Sequence, residues 1–136
     1  MSKSKTVVIL SVTSDIGFEL AKRYLADGYN VVGTYRKKGW VGEIASLPGC
    51  YLFPCDITSK KSIRRFISAY KRLGLPWETF ISAVGDPRPL SSFFSGNFER
   101  WVRSVHVNAI EQLRVLHEIY PFRVKKKIAN VVFFAA

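Results

Sequence analysis

The chain has 136 residues, 48% of them hydrophobic and 14% aromatic, with a formal net charge of +11. That is enough apolar material for one domain with one core, it excludes a disordered chain, and no apolar run approaches the roughly 20 residues that a membrane-spanning helix needs. The cations fall in short separate clusters, Arg36-Lys37-Lys38, Lys60-Lys61, Arg64-Arg65, Lys71-Arg72 and Lys125-Lys126-Lys127, without any nucleic-acid-binding motif, so nucleic acid and membrane are not expected as partners. The basic start, Met1 to Lys5, runs into an apolar stretch too short for a signal peptide, and a cytoplasmic protein is expected. Two cysteines, Cys50 and Cys55, are too few for a disulfide framework or a zinc site and read as packed thiols beside a strand.

In chain order, Thr6 to Leu10 is continuous, apolar and β-branched, which predicts a buried strand. Ser11 to Asp15 is a small polar turn. Ile16, Leu20, Ala21, Tyr24 and Leu25 recur at helical spacing, predicting a helix from Ile16 to Asp27 with Gly28 as its stop. Asn30 to Tyr35 is a second strand, Trp40 to Leu47 a short helix ended by Pro48-Gly49, and Cys50 to Phe53 a third strand. Asp56-Ile57-Thr58 leads into a helix through Arg72, with Ile63, Phe66, Ile67, Tyr70 and Leu73 on one face and the cations on the others. Thr79 to Val84 is a fourth strand, 85–89 a rigid loop, Phe98 to about Tyr120 a long helix stopped by Pro121, and Ile128 to Ala136 a fifth strand.

Alternating strands and helices predict an α/β fold: one doubly wound, Rossmann-like parallel sheet with strand order 3-2-1-4-5, spanning residues 1–136 as a single domain. Ligands of such sheets bind at the carboxyl ends of the strands, so the first strand-to-helix turn is the place to look. There Ser11, Thr13 and Ser14 offer hydroxyls, the helix presents its positive end, and Gly17 permits close packing of helix on strand. At the end of the second strand Tyr35, Arg36 and Lys37 stand where an acidic residue would select NAD. Arg36 can instead pair bidentately with a 2′-phosphate, which favours NADP over NAD; an ordinary solvated basic turn is the alternative.

The turn Leu10 to Gly17 resembles the Thr-Gly-x-x-x-Gly-x-Gly motif of the short-chain dehydrogenase/reductase family, with Ser11 and Asp15 at the first two glycine positions and Gly17 at the third. Asp15 and Ile16 join the turn hydroxyls as its expected cofactor contacts; Asp15 sets a carboxylate near the phosphate position, compatible with binding if it caps the helix. Asp56-Ile57 resembles the family's Asp-Val pair, which implies an aspartate reaching the adenine amino group, though it also suits the N-cap region of the helix opening near Ser59. Ser82-Ala83-Val84-Gly85 stands where the family has Asn-Asn-Ala-Gly, which implies cofactor contacts at Ala83, Val84 and Gly85 and leaves both asparagines replaced. Asn108, in Val107-Asn108-Ala109, matches the asparagine of the family's catalytic tetrad, which implies a catalytic residue at a local helix distortion that supports the proton relay; the plain alternative is a polar mid-helix residue.

By that resemblance the full protein moves hydride between NADP(H) and a small-molecule carbonyl or alcohol, and forms a homo-oligomer. The family's Ser and Tyr-x-x-x-Lys are missing: none of the six tyrosines is followed by lysine four residues later, and Lys125 comes five after Tyr120. The chain is therefore expected to be the cofactor-binding portion of a longer protein, inactive by itself, with an apolar edge strand from Val131 to Phe134. A non-catalytic NAD(P)-binding module, or an extended-type sugar-nucleotide epimerase or reductase, shares these features.

Overall fold

A computed structural model describes residues 5–37, 41–86, 92–125 and 127–134. Its strands are β1 (Thr6–Leu10), β2 (Asn30–Tyr35), β3 (Cys50–Pro54), β4 (Thr79–Ser82) and β5 (Asn130–Phe133). They form one parallel sheet in the order β3-β2-β1-β4-β5, as the alternation of elements predicts. Strand β1 lies in the middle, with Val8 opposite Val32 of β2 and Phe80 of β4. All five β1 residues are buried, which explains a continuous apolar run rather than an alternating one.

The sheet separates two apolar layers. Val7, Ile9, Val31 and Ile81 pack on one side with Ala21 of α1 (Asp15–Ala26) and Ile44 of α2 (Val41–Ile44). Val8, Leu10, Val32 and Phe80 pack on the other with Ile63, Phe66 and Tyr70 of α3 (Lys60–Leu73). Val115 and Ile119 of a later helix, Glu111–Ile119, join that second layer. Each such side chain taken fully out of water contributes about 1.5–3 kcal/mol. Trp77, just before β4, is fully buried and donates its indole N–H to Ile119 O at 2.9 Å, tying the end of that helix to the start of the strand.

Local chemistry sets the boundaries. Ser59 caps α3 by accepting from Ser62 N–H at 3.2 Å, and Gly74 closes it in the left-handed conformation with φ 69°. The Tyr70 hydroxyl donates to Leu75 O just beyond that end. The six cations of α3 are all exposed, and Lys71 and Arg72 lie in its last turn, where the helix dipole favours them.

The long helix expected from Phe98 to Tyr120 is interrupted. It consists of α4 (Phe98–Val105), a π-turn (His106–Ile110), α5 (Glu111–Ile119) and a 3₁₀ turn (Tyr120–Phe122) at Pro121. The expected fourth strand is shorter, ending at Ser82 instead of Val84, because the chain leaves the ladder after Ala83 N–H bonds Leu10 O. The fifth strand is also shorter than expected, 130–133 rather than 128–136. It borders only β4, and Val131, Val132, Phe133 and Phe134 are each about two-fifths exposed. The expectations for Lys38, Trp40, the loop beyond Asp86, Lys126 and the last two residues lie outside the described residues.

Candidate functional site

The β1–α1 turn is built around one backbone oxygen. Ser11 O accepts the Ser14 backbone N–H at 3.1 Å and the Ser14 hydroxyl at 2.8 Å. The same Ser14 Oγ accepts Gly17 N–H at 3.0 Å, so Ser14, not Asp15, is the N-cap of α1. Ser14's hydroxyl hydrogen is thereby committed inside the turn, and its contribution is the shape of the turn rather than a free donor. Asp15 lies exposed in the first turn of α1, where the dipole favours a carboxylate. Gly17 is packed so closely that a Cβ would lie 2.2 Å from Ser11 O.

Ser11 itself has φ 65°, the one non-glycine residue with positive φ among the described residues. A side chain in that conformation costs about 1–2 kcal/mol. Ser11 thus holds, at a cost, the backbone shape a glycine would adopt freely. Its N–H donates to Thr34 Oγ1 at 3.2 Å, and Val12 N–H donates to Thr34 O at 2.8 Å, which anchors the turn to β2.

A cleft of about 360 Å³ opens at the carboxyl ends of β1 to β4. Of the residues singled out by sequence, Ser11, Thr13, Tyr35, Arg36, Lys37, Asp56, Ile57, Val84 and Gly85 line it. Ser14, Asp15, Ile16 and Ala83 are not among its lining, and Ile16 is half exposed to solvent. Thr34, Cys55, Thr58, Asp86 and Val107 complete the walls.

Asp56 faces the cleft with its carboxylate organised by its own loop. Oδ1 accepts Thr58 N–H at 2.9 Å and the Thr58 hydroxyl at 2.6 Å, while Asp56 N–H donates to Ser62 Oγ. The Thr58 hydroxyl holds the Asp56 carboxyl below its usual range, with Arg36 and Arg103 adding attraction. Asp56 does not cap α3; Ser59 does. Arg103, on α4, escapes sequence reading because nothing in the chain marks a mid-helix arginine as a neighbour of the β3 loop.

The opposite wall comes from the π-turn. Asn108 lies within it, as the resemblance implies, and clasps the backbone of the loop after β4. Its Oδ1 accepts Asp86 N–H at 2.8 Å, and its Nδ2 donates to Asp86 O at 2.8 Å and to Ser104 Oγ at 3.1 Å. One turn on, Gln112 is the residue sequence reasoning missed. Its Oε1 accepts the Ser82 hydroxyl at 2.5 Å, and its Nε2 donates to Val84 O at 3.3 Å and Val107 O at 3.1 Å. Ser82, in place of an asparagine, was the available signal: a lost polar tie invites a search for a compensating one on the facing helix.

The cysteines are free, and Cys55 forms part of the cleft. Burial pushes both thiols up to about 11 from an ordinary 9.0. Folding thus favours the protonated thiol: this contribution to stability is fully present below pH 9 and declines as the pH rises towards 11. Alkylation of the native chain at pH 7 is expected to be slow until denaturant is added; rapid labelling of both thiols in the folded chain would contradict this burial.

A parallel sheet of order 3-2-1-4-5, with its cleft outside the carboxyl ends and a capped helix at the first turn, defines a doubly wound α/β protein of Rossmann type. Residues 5–136 match the family model of the short chain dehydrogenases, and the chain belongs to that family. It is 31% identical over 83 residues to the short-chain dehydrogenase cctT of Talaromyces islandicus, covering 60% of this chain and 29% of that protein. Among solved structures it resembles a short-chain type dehydrogenase/reductase from Mycobacterium ulcerans, with TM-score 0.84 and 21% identity over 100% of this chain and 53% of the other. A short chain dehydrogenase from Leptospira borgpetersenii serovar Hardjo-bovis with bound NAD+ gives TM-score 0.77 and 21% identity over 88% of this chain and 46% of the other. At these identities the structures speak for the fold. The chain thus spans from under a third to about half the length of these relatives.

Proposed function

We propose that this chain is the NADP-binding portion of an oxidoreductase that moves hydride between NADP(H) and a carbonyl or alcohol carbon. The observation that carries the reading is the 360 Å³ cleft with Arg36 and Lys37 at one end and no acidic side chain at the tip of β2. An NAD-selecting site would need a carboxylate there for the ribose 2′-hydroxyl.

The residues present fit a dinucleotide. The tightly packed Gly17 lets α1 begin against the strand-end turn, and the N–H groups of its first turn are the donors that a pyrophosphate at this turn would meet. Arg36 would pair with a 2′-phosphate, Asp56 with the adenine amino group, and Ile57, Val84 and Gly85 would wall in the adenosine. Ser11 and Thr13 would supply hydroxyls at the turn, while Ser14, Asp15 and Ile16 shape it. Ala83 would act through the backbone that carries Val84 and Gly85, its N–H held by Leu10 O. When bound, the nicotinamide supplies or accepts the hydride. Asn108 would act as a positioning residue, its amide holding Asp86 on the rim.

None of the chain's tyrosines carries a lysine four residues on, so the chain alone is proposed to bind cofactor without turnover. The reading extends to a homo-oligomer, because α4 and α5 leave Phe98, Val105 and Leu113 exposed. No helix among the described residues is long and apolar enough to cross a membrane.

Arg36→Asp tests the cofactor choice. It should weaken NADPH binding at least tenfold, about 1.4 kcal/mol, and leave NADH binding within about threefold. Equal losses for both nucleotides, read by fluorescence titration, would remove the 2′-phosphate role from Arg36.

A further inference from the structure

Gln112 is almost fully buried, 2% exposed, and no motif of the chain assigns it a role. Its amide joins two neighbouring segments that line the cleft. Val84 O belongs to the loop after β4 and Val107 O to the π-turn; both residues line the cleft, and both carbonyls accept from the same Nε2. The amide oxygen accepts from Ser82, a fully buried hydroxyl at the end of β4.

The π-turn deprives Val107 O of the donor it would have in a regular helix. In a regular helix each carbonyl accepts from the N–H four residues on. Here Glu111 N–H reaches back five residues to His106 O, so it is not given to Val107 O. The Gln112 side chain supplies the replacement donor. That turn in turn carries Asn108, which grips Asp86 N–H and O. Two amides one helical turn apart therefore hold two residues of the cleft rim, Val84 and Asp86, on either side of Gly85. A serine at position 82 is too short to reach across to the helix by itself, and a long glutamine on the helix completes the tie from the other side.

We infer that Gln112 is a positioning residue that fixes the spacing of two cleft-lining segments, the loop after β4 and the π-turn, by donating to Val84 O and Val107 O and so sustaining the π-turn that aims Asn108. Its effect on affinity rests on the dinucleotide reading above; the wall geometry does not. Gln112→Met keeps most of the volume and removes every hydrogen bond. Ser82→Ala with Gln112→Met also removes the buried hydroxyl that the single change leaves unpartnered.

The 136-residue chain and both variants would be titrated with NADPH, melted, and followed by amide exchange at Asp86 N–H, whose acceptor Asn108 is unaltered. Gln112→Met should weaken NADPH at least tenfold and speed exchange at Asp86. The double variant should recover most of the lost Tm but none of the lost affinity, because the walls remain untied. Recovery of both would mean that Gln112 serves only to satisfy Ser82, and would overturn the inference; so would unchanged affinity in Gln112→Met. If Gln112→Met does not fold, the double variant decides alone by the same affinity criterion. If the parent chain binds neither NADPH nor NADH, the cofactor reading fails separately. The wall tie is then judged by exchange at Asp86: faster in the variant supports it, unchanged overturns it.

Discussion

Gly17→Ala is expected to cost about 3 kcal/mol, at the upper end of what overpacking usually costs, and to abolish measurable dinucleotide binding. The new Cβ would sit 2.2 Å from Ser11 O and 2.9 Å from Ser14 Oγ. The serine hydroxyl could rotate away, but only by giving up the cap of α1. The Ser11 carbonyl cannot move without opening the turn, because its N–H is tied to Thr34 and its oxygen to Ser14. Gly85→Ala is the control. Among the described residues nothing lies within 4 Å of its Cβ position, so its stability should stay within about 0.5 kcal/mol of the parent. A urea midpoint for Gly17→Ala equal to that of the parent would show that the turn is built differently.

Trp77→Ala is expected to cost about 3–5 kcal/mol, the range for deleting a large buried aromatic side chain. The indole is fully buried, packs against Phe80 with ring centroids 6.0 Å apart, and satisfies Ile119 O at the end of α5. Truncation removes apolar burial and orphans that carbonyl together. Trp77→Phe separates the two, keeping most of the packing and losing only the hydrogen bond, for about 1–2 kcal/mol. A loss below about 1 kcal/mol in Trp77→Ala would contradict its place at the centre of the second core layer.

The sheet was legible because its physics is local. Strands β1 and β2 begin and end where composition and turn residues place them, and the alternation of elements leaves few topologies to choose from. The Gly28 stop was equally readable, since it needs positive φ. What could not be read depends on contacts distant in sequence. Gly17 and Gly85 look alike as motif matches, yet only Gly17 has a carbonyl against it. Ser11 looks like a missing glycine, but its φ of 65° shows that it keeps a glycine's backbone. The π-turn escapes apolar periodicity because α4 buries none of its residues, so no stripe precedes the turn against which a shift of phase would show. Gln112 reads as a surface polar residue until β4 is placed against it. The hydroxyl of Ser14 looks like a donor until Ser11 O is seen to take its hydrogen.

The central claim, a working cofactor cleft with a preference set by Arg36, is tested most directly by titrating the purified chain with NADPH and NADH and following intrinsic tryptophan fluorescence. Saturable binding of both is expected, with NADPH tighter by tenfold or more, about 1.4 kcal/mol. Binding of neither by a chain shown to be folded would contradict it, and would make the strained Ser11 and the carboxylate of Asp15 decisive departures from a dinucleotide turn.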